Sequence, residues 1–169
     1  MDDRQLQELL DKQEIYEVIA RYARGVDRFD REMILSCYHP DAFDDHGGYQ
    51  GDADGHIDWS FEFLAPHNIS THRIGNLLID IQGDTAYSEC YVSPYIAGTG
   101  VDGAGEHRYF ILRFIDRFER RDGGPWLVAQ RTLSFDWNRI DQVSDERQLT
   151  SDYVVGRRDK QDPVYHRPS

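Results

Sequence analysis

Asp27, His72, Tyr22 and Arg131 are the side chains of this 169-residue chain whose types and settings suit proton transfer. An imidazole changes protonation near neutral pH, and a carboxylate beside it can fix its tautomer and steady its cation. His72 sits in the run Thr71-His72-Arg73-Ile74, where period-two alternation groups it with Ile74, Asn76 and Leu78. It reads as a core histidine or, if that face lines a pocket, as a general base. Asp27 closes a helical pattern, where a carboxylate meets the negative helix end. It reads as a solvated loop carboxylate, as a cap of the next turn, or as a partner for a pocket group. The two lie 45 residues apart (72 − 27), so spacing alone does not pair them.

Tyr22 lies five positions before Asp27, about 140° around a regular helix. It serves either core packing or as a phenol donor to a substrate oxygen. Arg131 alternates with Leu127, Ala129, Leu133 and Phe135. An arginine among apolar neighbours needs an anion or a carbonyl, so it pairs a buried carboxylate or contacts substrate. Tyr91, Tyr95 and Phe63, with Tyr87, Trp59 and Phe61, could line a pocket or simply pack a core.

Helices followed by a sheet must position these groups. Leu6, Leu9, Leu10, Ile15, Val18, Ile19, Tyr22 and Val26 recur at helical steps and predict an amphipathic helix over 4–26. Asp30 can cap a short second helix, and Asp54 a third over about 55–64. His39-Pro40-Asp41 predicts a turn before a short strand, 42–46. Strands are expected at 70–81, 85–97, 107–120 and 126–138, with a glycine-rich link at 98–105. The polar stretch 141–169 reads as a tail beyond a domain of residues 1–140, ordered only if it docks, for instance on a neighbouring subunit. The order predicts an α+β fold: a cone-shaped, curved, mostly antiparallel sheet around the long N-terminal helix, with room inside for a small ligand.

A net charge of −12 argues against nucleic acid or an acidic membrane as partner. No apolar run approaches the roughly 20 residues of a membrane helix, and the acidic start lacks a signal-peptide pattern, so a cytoplasmic protein is expected. Cys37 and Cys90, far apart, read as buried thiols. The histidines show no HxH or HExxH spacing for a metal, and no phosphate loop or serine elbow is present.

Three segments carry a resemblance: Gly25-Val26-Asp27, then Thr71-His72-Arg73-Ile74-Gly75-Asn76, then Glu119-Arg120-Arg121-Asp122-Gly123-Gly124-Pro125-Trp126. Together they resemble the SnoaL-like branch of the nuclear-transport-factor-2-like superfamily, and within it the hexachlorocyclohexane dehydrochlorinase, scytalone dehydratase and bile-acid dehydratase group. The similarity runs from about Leu6 to Trp137. It implies that Asp27 orients His72 and that His72 removes a proton from carbon. It further implies that Arg131 is a pocket arginine and that Tyr22 stands where the dehydrochlorinase has lysine. The function implied is a cofactor-independent, dehydratase-type elimination on a small to mid-sized apolar cyclic substrate, in a homotrimer. Isomerisation, hydration or dehydrohalogenation with the same dyad are alternatives, as is a non-catalytic role like that of a ring-hydroxylating dioxygenase β subunit. The leaving-group acid has no matching residue.

Overall fold

The computed structural model describes residues 2–99, 105–143 and 152–166. Helix α1 spans Asp3–Asp27 and opens with a reciprocal cap between Asp2 and Gln5. Its buried stripe is Ile15, Val18, Ile19, Tyr22 and Val26, whereas Leu6, Leu9 and Leu10, in register with that stripe, are exposed. Helix α2, Arg31–Leu35, is capped by Asp30 and folds closely onto α1. A Cβ on Gly25 would stand 2.6 Å from Ile34 Cγ1, so the glycine permits that approach without interrupting α1.

Strand β1, Tyr38–Asp45, includes His39-Pro40-Asp41, expected as a turn. The ladder shifts register between Tyr38 and Phe43, and this irregularity absorbs the proline. Gly47, at φ 72°, turns β1 into a short strand β2, Gln50–Asp52, which the sequence pattern did not reveal. Helix α3, Ala53–Leu64, is capped by Asp52, which accepts from the Gly55 N–H at 2.8 Å. Asp54, the expected cap, instead pairs with Arg31.

Strands β3, β4, β5 and β6 are His67–Gln82, Thr85–Thr99, Gly105–Arg120 and Trp126–Val143. They extend the sheet in the order β2-β1-β6-β5-β4-β3, antiparallel throughout except for the parallel β1–β6 pair. Of the glycine-rich link, residues 100–104 lie outside the described residues. The sheet is curved and open and lays its concave face on α1. Val92 and Ile96 of β4, Leu112, Phe114 and Phe118 of β5, and Trp126 and Val128 of β6 are all 5% exposed or less there. Each such side chain contributes about 1.5–3 kcal/mol by leaving water.

Two bulges alter the faces that strict alternation predicts. A register shift between Ile74 and Leu77 moves Leu77, Ile79 and Ile81 to the core and leaves Leu78 74% exposed, so Leu78 does not share the face of His72. Another, opposite Arg117 and Phe118, puts Trp126 and Val128, not Leu127, on the side of Arg131. Cys37 and Cys90 are buried and unpaired. Residues 152–166 of the tail dock on their own chain. Arg158 donates to the Leu64 and His67 carbonyls and lies 4.0 Å over the Phe29 ring, while Lys160 and Asp162 pair with Asp30 and Arg28. Among the described residues no helix is long and apolar enough to cross a membrane.

Candidate functional site

The concave face and the helices border an open cavity of about 450 Å³. Its wall is mostly apolar, built from Phe63 and Leu64 of α3 and from inward residues of β4, β5 and β6 such as Ile96, Leu112 and Leu133. The polar exceptions are Tyr22, His46, Ser60, His72 and Arg108.

Asp27, last residue of α1, faces the start of β3 and is 9% exposed. One carboxylate oxygen accepts from His72 Nδ1 at 2.7 Å and from the Ser70 hydroxyl at 3.0 Å. The other accepts from the His72 backbone N–H at 2.9 Å. Three donors on one carboxylate leave it an acceptor only, so Nδ1 carries a proton toward Asp27 and Nε2 is the ring nitrogen left facing away from it. The ring itself lines the cavity. The fold thus brings together the two residues that spacing could not pair.

Tyr22 also lines the cavity, yet its hydroxyl points to a second polar group. It lies 3.0 Å from His56 Nε2 and 3.4 Å from His46 Nε2. His46 Nδ1 is in close hydrogen-bond contact with Asp44, whose other oxygen accepts from the Tyr38 hydroxyl at 2.7 Å. Arg131, fully buried, lies behind this group. It makes a two-pronged ion pair with Asp116, at 2.8 and 2.7 Å, donates to the Tyr38 oxygen, and stacks 4.1 Å over the Tyr22 ring. Arg131 therefore does not contact the cavity. Its anion is Asp116, the buried-carboxylate alternative left open above. Burial drives the Tyr22 hydroxyl well above the ordinary phenol range despite the opposing charge of Arg131. Burial and the charge of His46 lower His56 to about 3 despite Asp44 nearby. Burial would raise Asp44, but His46, His56 and Arg131 together bring it down to about 2.

Asp44, His46 and His56 form a set of potential metal donors within 4.8 Å of one another, which linear spacing did not show. The two imidazoles are stacked, 3.8 Å between centroids and 25° between planes. Their Nε2 atoms both lie within hydrogen-bond reach of the Tyr22 oxygen, at 3.0 and 3.4 Å. The arrangement is that of a hydrogen-bonded cluster.

Of the other expected pocket residues, Phe63 is in the wall. Tyr91 and Tyr95 are not: their neighbours Val92, Pro94 and Ile96 face inward, which turns both tyrosines to the convex face. Tyr91 lies there beneath the Arg113 guanidinium, and Tyr95 beside His107 and Tyr109. Sequence reasoning missed His46, Asp44, His56 and Arg108. The signals were present: Asp44 and His46 are two apart on a strand, and His56 and Ser60 four apart on a helix. Arg108, bonded to Glu106 and 5.4 Å over Phe63, is the one permanent cation in the described wall.

Residues 7–132 match the family model of the SnoaL-like domain. No curated protein matches the chain. Among solved structures, the type 3 hexachlorocyclohexane dehydrochlorinase from Novosphingobium barchaimii is 18% identical, with a TM-score of 0.66 over 86% of this chain and 97% of its own. A candidate scytalone dehydratase from Novosphingobium aromaticivorans is 15% identical, with a TM-score of 0.66 over 78% and 88%. A cystatin-like protein of unknown function from Nostoc punctiforme is 19% identical, with a TM-score of 0.57 over 75% and 92%. At these identities the likeness is one of fold.

Proposed function

The chain belongs to the SnoaL-like domain family, and from that premise we propose that it is a cofactor-independent lyase, working as a homotrimer, that eliminates water from a small apolar cyclic substrate. The observation that carries this reading is the 2.7 Å Asp27–His72 contact at the wall of an apolar, ring-sized cavity. Asp27 holds the tautomer and balances the imidazolium that forms; His72 Nε2 takes a proton from the carbon next to a carbonyl. Tyr22 assists departure of hydroxide from the other flank, through the His46 and His56 imidazoles that its hydroxyl meets. Arg131 acts at one remove, through the Tyr22 ring and the Tyr38 hydroxyl.

The test is elimination from β-hydroxycyclohexanone, followed as enone formation. His72→Ala and Asp27→Asn are each expected to lower the rate by about a hundredfold to ten-thousandfold, the usual contribution of a positioned base. Unchanged elimination in both variants would overturn the reading. In the native protein, solvent deuterium entering the substrate without loss of water would turn it toward isomerisation.

A further inference from the structure

The cavity holds a second Asp–His pair. Asp44, with 0% exposure, and His46, with 8%, stand two residues apart at the end of β1, and His46 lines the cavity that His72 lines. β1 is the second strand from one edge of the curved sheet, and β3, which carries His72, is the opposite edge. The wall strands β6, β5 and β4 lie between them, so the two imidazoles approach the cavity from opposite flanks.

The hydrogen-bond directions of the two pairs differ. Around His46 every partner is placed to accept. Asp44 takes the Nδ1 proton, and its other oxygen is already occupied by the Tyr38 hydroxyl. The Tyr22 oxygen stands 3.4 Å from Nε2. Tyr22 can accept there because its own proton has another destination, His56 Nε2 at 3.0 Å, and burial keeps His56 neutral and able to accept. His46 is thus surrounded as an imidazolium is, with an acceptor at each nitrogen and a carboxylate for its charge. His72 has an acceptor at Nδ1 only.

We infer that His46, positioned by Asp44, is the acid that protonates the leaving oxygen, so that the cavity works with two opposed Asp–His pairs, one receiving and one donating a proton. This rests on the elimination reading above. In the step, His72 Nε2 takes the α-proton, and the C–H electron pair passes onto the carbonyl as an enolate and then returns to form the new C=C bond. The C–O bond beyond breaks with its electrons on oxygen, and that oxygen takes the Nε2 proton of His46 and leaves as water. His72 ends protonated and His46 neutral, and exchange with solvent restores both.

The experiment compares β-hydroxycyclohexanone with β-acetoxycyclohexanone, which give the same enone by loss of water or of acetate, a leaving group that needs no proton. Deuterium exchange at the α-carbon is read in parallel. His46→Gln is expected to lower water elimination at least about a hundredfold while leaving acetate elimination and α-exchange within about threefold. Asp44→Asn should follow the same pattern, and turnover of the acetoxy compound shows that each variant is folded. Equal losses on both compounds, or no loss on either, would overturn the assignment of His46. If His72→Ala still eliminates both, or the native protein is inert toward both, the elimination reading itself fails, whatever the His46 variants do.

Discussion

Asp27 and Asp44 show how one residue type is given its task by what donates to it. Asp27 collects a backbone N–H, a hydroxyl and an imidazole, which makes it a rigid holder of His72. Asp44 collects an imidazole and a phenol that is itself tied to Arg131. Within this second cluster His56 is the residue that folding treats worst in acid. Tyr22 of α1, Asp44 and His46 of β1 and its turn, and Ser60 of its own helix face it, with Arg131 behind. Burial, aided by His46, brings it from an ordinary 6.5 to about 3, so the unfolded chain binds a proton there that the folded chain refuses. Its contribution to stability is therefore complete above pH 6.5 and is lost as pH falls toward 3. His56→Gln should flatten the acid limb of the stability–pH curve in that window, as measured by urea unfolding at a series of pH values; an unchanged limb would assign it to other groups. At this scale the sequence was legible by residue type. Asp27 and His72 stood out, but their contact came only through family resemblance, since it depends on where a helix end meets a strand start 45 residues later (72 − 27). Tyr91 and Tyr95 were misplaced because aromatic character does not say which side of a strand a ring occupies.

Among the elements, the meeting of α1 and α2 sets the position of Asp27. Gly25 gives α2 its approach, and Asp30, at the turn, donates its N–H back to the Gly25 carbonyl at 2.9 Å. Alanine is the better helix former by about 1 kcal/mol, yet its methyl would meet Ile34 at 2.6 Å. Overpacking of this kind costs about 1–3 kcal/mol, so Gly25→Ala should be destabilising on balance. Combining it with Ile34→Ala, which removes the obstructing atom, should cost less than the sum of the two single changes in a denaturant double-mutant cycle. Strict additivity would show that the contact does not matter. The helices and four long strands were legible because each carries a sustained period. Strand β2, three residues long, is below what periodicity can reveal. The bulges in β3 and β6 were invisible for a related reason: one extra residue leaves local composition unchanged while inverting every face beyond it.

For the whole molecule, the convex face of the sheet is the feature that asks for a partner. Tyr91, Tyr109, Ile111, Ile115 and Trp137 crowd it, each between 36% and 49% exposed. This apolar surface, crossed by Arg113 with Glu89 and Asp136, is where the homotrimer proposal would seat a second and third copy of the chain. Light scattering should return the mass of three 19.7-kDa chains, and Ile111→Glu should shift it toward one. A native monomer would refute the assembly. The tail shows the limit of legibility at this scale, since polar composition suggested a free or exchanged segment whereas Arg158, Lys160 and Asp162 return it to its own chain.

The parallel pairing of β1 with β6 carries one more consequence. Tyr38 and Val128 are ladder partners although they stand 90 positions apart (128 − 38). A nascent polypeptide emerging from the ribosome exposes β1 long before β6 exists, and loop closure over that span comes late among folding events. The flank of the hollow that bears Asp44 and His46 can accordingly be walled in only after β6 has been made.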